Sequence, residues 1–76
     1  MNAERRKKLT EAQNKINEAK ALVEEVKGEE EESKENLPES QQGGEKGEKM
    51  EAAVEAMDDV INHLDDAVSS IDTALE

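Results

Sequence analysis

The sequence predicts an all-α protein: an antiparallel two-helix coiled-coil hairpin that dimerises into a four-helix bundle. Three observations lead to this prediction. Each half of the chain has apolar residues in alternating steps of three and four, a glycine-rich break separates the halves, and the charges beside the two apolar rows are complementary. We expect a single domain over residues 1–76, with a helix at 3–35, a joint at 36–47 and a helix at 48–75.

The first helix is predicted from an apolar row at positions a and d of a heptad repeat. The row contains Leu9, Ala12, Ile16, Ala19, Val23 and Val26, and its register continues through Glu30 and Ser33 to Leu37. Gly28 lies at an outward position, where glycine costs roughly 1 kcal/mol relative to alanine. The row becomes less apolar toward the joint, but its spacing predicts one helix over 3–35.

The joint is predicted from the stretch "NLPESQQGGEKGEK". Because proline disfavours a helical residue before it, Pro38 should end the first helix near Asn36. Pro38 also suits the start of a single helical turn over "PESQQ", and Gly43, Gly44 and Gly47 suit a flexible turn. A joint this short favours antiparallel packing of the helices on either side.

The second helix is predicted from a longer apolar row, which contains Met50, Val54, Met57, Ile61, Leu64, Val68, Ile71 and Leu75. This row is an unbroken heptad seam, so another helix must cover it. Glu45 and Glu48 suit the positive N-terminal end of a helix. The second helix should therefore begin at one of these two glutamates and run to the end of the chain.

The alignment of the two helices follows from placing Leu37 beside Met50 at the joint. Facing core residues then have position numbers that sum to 87, and every layer joins an a position to a d position. Residues at position e also face each other, in the pairs Lys34–Glu51, Lys27–Asp58, Lys20–Asp65 and Gln13–Asp72. Three of these four pairs join opposite charges and none is repulsive. Such pairs select register and orientation more than they stabilise.

The candidate protein interface is the other flank of the hairpin, at position g. Small and apolar residues there widen the apolar stripe beyond a two-stranded seam: Leu22, Ala53, Val60, Ala67 and Ala74. The alanines allow another helix to approach closely. We expect a second copy of the chain to cover this flank, as a homodimer. A foreign helix in that place, or a monomeric and partly fluid hairpin, stays open as an alternative.

The composition argues against several classes of partner. A net charge of −11 disfavours nucleic acid and anionic membranes. The short basic cluster at residues 5–8 is interpreted as a source of solubility and local salt links. Without cysteine the chain has no disulfide, thiolate nucleophile or cysteine-bound zinc. The polar N-terminus and the lack of a long apolar run predict a cytoplasmic protein.

Candidate chemical sites are few. His63, the only histidine, falls at an outward c position near Asp59 and Asp66, where a solvated side chain is a better interpretation than a metal ligand. The acidic pairs of the second helix do not resemble a calcium loop, because calcium ligands need to fold around a turn. Ser, Thr and Lys occur without a base and an orienting group beside them. We expect no enzymatic activity, no cofactor and no metal.

An acidic surface is predicted at position c of the first helix, where a glutamate recurs every seven residues: Glu11, Glu18, Glu25 and Glu32. One interpretation is solubility alone. The functional interpretation is attraction to a basic surface on another protein. Successive carboxylates lie ~10.5 Å apart on a helix, which is not the phosphate spacing of a nucleic-acid strand. A nucleic-acid mimic is therefore a weaker alternative.

The stretches "ERRKKLTEAQNKINEAKALVEEVK", "NLPES" and "GEKGEKMEAAVEAMDDVINHLDDAVSSIDTALE" resemble a group of very small acidic proteins of uncharacterised function encoded in bacteriophage and prophage genomes. The resemblance implies a phage protein in the host cytoplasm that binds and inhibits a host factor. Two other hypotheses stay open: a purely structural coiled-coil assembly unit with no ligand, and a binder of a small ligand or metal inside an oligomer.

Overall fold

The computed structural model describes all 76 residues, which form three helices and no strand. Helix α1 spans Ala3–Glu35, α2 spans Glu39–Gln42 and α3 spans Glu45–Leu75. The predicted all-α class is confirmed, with one long helical pair made by α1 and α3. Helix α3 begins at Glu45 and not at residue 48, so the segment between the long helices is shorter than the predicted joint.

Helix α1 begins and ends at polar caps. The side chain of Asn2 accepts a hydrogen bond from the backbone N–H of Arg5 at 2.8 Å, which satisfies one of the free amides at the start of the helix. At the other end, the backbone N–H of Asn36 donates to the carbonyl of Glu32 at 3.0 Å. The helix stops there because Pro38 follows two residues later.

Between the long helices lies a single helical turn, α2, at the place where "PESQQ" predicted one. The carbonyl of Pro38 accepts backbone N–H bonds from Gln41 at 2.7 Å and Gln42 at 3.2 Å. The side chain of Gln42 donates to the carbonyls of Glu35 at 3.4 Å and Leu37 at 3.0 Å. These bonds tie α2 to the last residues of α1 and order the joint.

Gly47 is the only fully buried residue of the chain. A Cβ atom at this position would overlap the backbone carbonyl of Gln42. No residue of the joint has a positive φ angle, so its glycines do not serve a left-handed turn. Glycine is required at position 47 because the end of α2 packs directly against the first turn of α3.

The two long helices are antiparallel. Gln13 near the start of α1 contacts Asp72 near the end of α3 at 2.7 Å, and Lys34 at the end of α1 contacts Glu51 near the start of α3 at 3.3 Å. The molecule measures 59 × 15 × 12 Å, with a radius of gyration of 17.3 Å, whereas a compact chain of this length would have a radius of about 11 Å. The chain is therefore a rod one helical pair thick.

The seam between the helices matches the prediction on α3 but not on α1. All eight a and d residues of α3, from Met50 to Leu75, are half-buried. On α1 the half-buried rows are positions a and e, and the predicted core residues Ala19, Val26 and Ser33 at position d are exposed. Val26 keeps 51% of its surface in water. The prediction that position d of α1 lines the core is wrong for these three residues.

The lysines at position e explain this difference. The side chains of Lys20, Lys27 and Lys34 are only 29%, 28% and 31% exposed, because each reaches across the seam to an acid on α3. Lysine buries its methylene stem on apolar surface while its ammonium group stays at the edge. The lysine stems therefore occupy the place expected for position d, and α1 is rolled so that position d turns outward.

Two glycine substitutions test this account of the helices and the joint. We expect G28A to stabilise the hairpin by about 1 kcal/mol, because position 28 lies in a helix interior with open space around it. That gain corresponds to a rise in Tm of ~4–8 °C for a domain of this size.

G47A should lower the Tm by a similar amount or more, because its Cβ collides with the backbone of α2. Circular dichroism melts of both variants measure the shifts, and a G47A variant as stable as wild type would contradict the close packing at the joint.

Candidate protein interface

One edge of the hairpin carries a ladder of polar pairs between α1 and α3, here called the lysine ladder. Its members are the four position-e pairs predicted from the sequence: Lys20–Asp65 at 2.6 Å, Lys27–Asp58 at 2.5 Å, Lys34–Glu51 at 3.3 Å and Gln13–Asp72 at 2.7 Å. All four pairs are confirmed. Their spacing of seven residues on both helices fixes the alignment of α1 with α3.

The ladder continues toward the open end of the hairpin through backbone carbonyls. The side-chain amide of Gln13 donates to the carbonyl of Val68 at 3.1 Å as well as to Asp72. The guanidinium of Arg6 donates to the carbonyl of Leu75, one of the last carbonyls of α3. Because the last carbonyls of a helix lack partners within the helix, Arg6 ties the end of α3 to the start of α1.

Two lysines of the ladder, Lys20 and Lys27, are held in their charged form. The pKa of Lys20 is raised above its ordinary value of 10.5, chiefly by its hydrogen bond to Asp65, with smaller contributions from the charges of Asp65 and Glu24. The pKa of Lys27 is raised in the same way, chiefly by its hydrogen bond to Asp58. Partial burial opposes both shifts, and the acidic partners outweigh it.

The opposite edge of the hairpin is apolar and open. We call it the apolar flank, and it consists of Ala19, Leu22 and Val26 on α1 with Ala53, Val60, Ala67 and Ala74 on α3. Leu22 is 63% exposed, Val26 is 51% exposed and Val60 is 41% exposed. Of the other predicted interface residues, Ala53 and Ala67 are half-buried and Ala74 is exposed.

The three large apolar side chains of this flank lie at one height, in the middle of the hairpin. Leu22 and Val26 lie between Lys20 and Lys27 on α1, and Val60 lies between the partners of these lysines on α3. The ladder therefore brings them to the same level of the rod. The predicted interface residues share one side of the molecule, and the exposed position-d residues Ala19 and Val26 join them.

The predicted acidic surface borders the apolar flank on α1. All four of its glutamates are exposed: Glu11, Glu18, Glu25 and Glu32. Glu11 pairs with Lys15 at 3.7 Å, while the other three form no salt bridge within the chain. An uncompensated row of carboxylates, seven residues apart, therefore runs along the outer side of α1.

The corresponding c positions of α3 carry no acid. They are Lys49, Ala56, His63 and Ser70, and all four are exposed. Positions g and c of α3 thus form a second stripe on this helix. The stripe consists mostly of small residues and lies outside the contact with α1. Sequence reasoning treated His63 alone, as a solvated residue, and missed the row to which it belongs.

The one depression, at the joint, is lined by Val54 and six polar residues: Glu31, Lys34, Glu35, Gln42, Glu51 and Glu55. No three histidine, aspartate or glutamate side chains come together in a way that suits a metal ion. Neither long helix has an apolar stretch that would cross a bilayer.

No known protein family, curated protein or solved structure matches this chain. The phage origin implied by the resemblance in its sequence, and the cytoplasmic location, stay predictions.

The exposure of Val26 has a signal in the sequence. Lysines recur at position e of α1 with acids facing them, and each aliphatic stem competes with position d for the seam. What distinguishes the row of Gln13, Lys20, Lys27 and Lys34 from the outward row of glutamates is that acids of α3 face it. Lysine stems that reach these acids lie over the seam, which is consistent with the outward turn of position d.

The raised pKa values predict that the hairpin loses stability at alkaline pH. The contribution of Lys20 and Lys27 is complete below the ordinary lysine pKa of 10.5 and is lost as the pH rises through the raised pKa of each group. We therefore expect the Tm to fall once the pH exceeds 10.5. Thermal melts followed by circular dichroism across the alkaline range measure this effect.

The matched control for that experiment is K20R/K27R. Arginine keeps its charge across this pH range, so the variant should keep much of the stability that wild type loses. Equal losses in the variant and in wild type would contradict the assignment of the alkaline transition to these two lysines.

Proposed function

We propose that this chain is a non-enzymatic protein–protein interaction module that self-associates through its apolar flank. The observation that carries the proposal is that no apolar side chain of the hairpin is fully buried, while Leu22, Val26 and Val60 are exposed together at mid-height on one flank. Full burial of a side chain of this kind contributes ~1.5–3 kcal/mol. A protein partner on this flank supplies the core that the hairpin lacks.

A second copy of the chain is the partner that best fits this flank. A rod one helical pair thick has no second layer, and small domains need two packed layers around a core. Two hairpins stacked on their apolar flanks form a four-helix bundle, in which each supplies the layer missing from the other. The lysine ladder stays at the outer edge of such a bundle.

The acidic row supports a second part of the proposal, the binding and inhibition of a host protein with a basic surface. Three carboxylates of this row, those of Glu18, Glu25 and Glu32, have no cationic partner within the chain, and the net charge is −11. Their field acts beyond contact distance and attracts basic surfaces, more strongly at low salt. The phage context of this proposal comes from the sequence resemblance alone.

The competing hypothesis is a purely structural assembly unit, which uses the same apolar flank but has no target for the acidic row. The two hypotheses differ only in what the glutamates do. No observation favours a binder of small ligands or a nucleic-acid mimic over either of them.

Solution mass tests the self-association. We expect sedimentation equilibrium of wild type to give twice the 8.4 kDa of one chain. L22E/V60E should shift the mass toward 8.4 kDa, because it places two carboxylates in the apolar flank of each copy. The control N17E/N62E adds the same charge at exposed positions away from the flank and should keep the mass of wild type. A wild-type mass of 8.4 kDa at all concentrations would overturn the proposal.

Charge reversal tests the acidic row. We expect E18K/E25K/E32K to lose the proteins that immobilised wild type captures from a bacterial lysate, with its helix content unchanged. The control E39K/E48K/E76K makes the same change in net charge at exposed glutamates outside the row and should keep them. Retention of the captured proteins by both variants would exclude the row as their binding site and favour the assembly unit.

A further inference from the structure

We infer that, in the homodimer, α1 of each hairpin packs against α3 of the second copy, with the two-fold axis parallel to the long helices. This inference rests on the self-association proposed above and specifies its geometry. The two copies lie side by side and point in the same direction. Each α1 then has two antiparallel neighbours, α3 of its own chain and α3 of the second copy.

The face of the hairpin that carries the apolar flank has the size that a stable dimer requires. A face of the hairpin 59 Å long and 15 Å wide has an area of roughly 900 Å², and stable interfaces bury about 800 Å² per partner. The apolar contact is concentrated in the middle of this face, at Leu22, Val26 and Val60. Polar residues such as Lys15 and Glu29 follow on α1 toward the two ends, which gives the face an apolar centre and a polar rim.

The apolar residues of the two flanks match in height. A two-fold axis parallel to the helices leaves both copies at the same level, so the alignment set by the lysine ladder also applies between copies. Facing residues at positions d and g then have position numbers that sum to 86. The pairs are Val26 with Val60 of the second copy, Ala19 with Ala67 and Leu22 with Leu64. Each large exposed side chain of α1 meets an apolar residue.

The same alignment turns the a rows toward the centre of the bundle. Val23 then lies beside Ile61 of the second copy and Ile16 lies beside Val68, next to the axis of the bundle. These four residues are only half-buried in one hairpin. The second copy completes their burial, so one arrangement covers both the apolar flank and the open edge of the seam.

Charge decides between this arrangement and its main rival, in which α1 packs against α1 of an inverted second copy. Every c position of α1 from Glu11 to Glu32 is a glutamate. Packing α1 on α1 brings this row against itself in every register, and like charges at such flanking positions are destabilising. Packing α1 on α3 places the same row against the row of α3 without acids: Glu25 faces His63, Glu18 faces Ser70 and Glu32 faces Ala56.

Single-cysteine chains distinguish the two arrangements, because wild type has no cysteine. We expect a mixture of V26C and V60C chains to form mainly the mixed disulfide on oxidation, since facing residues approach within the 4.4–6.8 Å Cα separation that a disulfide spans. V26C mixed with N62C, an outward position away from the flank, should form little. A V26C chain that links mainly to itself would overturn the inference in favour of α1 on α1.

Charge variants at His63 give an independent test that involves no cross-link. We expect H63K to tighten the dimer, and H63E to weaken it, by roughly two- to fivefold in the dissociation constant, because each dimer has two sites at which residue 63 faces Glu25. N62K and N62E change the charge equally at an outward position and should have little effect. If H63K weakens the dimer, residue 63 does not face Glu25 of the second copy, and the inference fails.

The outcomes separate this inference from the proposal on which it rests. If the wild-type chain sediments as a monomer, the proposal of self-association itself is contradicted. If the wild-type chain is a dimer but V26C and V60C chains do not form the mixed disulfide, self-association is supported. Only the packing of α1 on α3 of the second copy is then contradicted.

Discussion

The alignment of α1 with α3 is the constraint on which the rest of the structure depends, and the lysine ladder sets it. Lys20 and Lys27 each contact an acid across the seam at 2.6 and 2.5 Å, at a spacing of seven residues on both helices. A shift by one turn would separate every pair at once. Because exposed ion pairs contribute little stability one by one, the ladder matters chiefly as a selector of register and orientation.

The ladder also determines which edge of the hairpin is covered by polar side chains. Its lysine stems lie over the seam, so α1 is rolled and its position d faces outward with Val26 exposed. One edge of the rod is thereby closed by polar pairs, and the other is left with the apolar flank. The hairpin has a half-buried seam and no core of its own. Its function is therefore sought on its surfaces, in the apolar flank and in the acidic row beside it.

Much of the fold could be predicted from the sequence, because heptad spacing, Pro38 and charge pairing all act locally or along one row. The bounds of α1, the single turn after Pro38 and the four pairs of the ladder follow from these signals. The roll of α1 does not, because spacing identifies which residues share a row and not which row faces the partner. The role of Gly47 depended on the path of α2, which only the three-dimensional structure shows.

The candidate interface was predicted in part. The small apolar residues of position g indicate the flank, but the heptad spacing assigns Val26 to the core and does not reveal the c row of α3. Both omissions have one cause: heptad spacing identifies which residues share a row, whereas the surroundings of a row depend on how the two helices are rolled against each other.

The distance between spin labels at Asn17 and Ser69 tests the central claim, the antiparallel alignment of α1 with α3, most directly. Both positions are exposed and lie at one height of the rod, and dilution with unlabelled chain removes distances between copies. We expect a single distance within roughly 30 Å, since packed helix axes lie ~8–10 Å apart and the label arms add the remainder. A distance near ~80 Å, the span of one continuous helix at ~1.5 Å per residue, would contradict the hairpin.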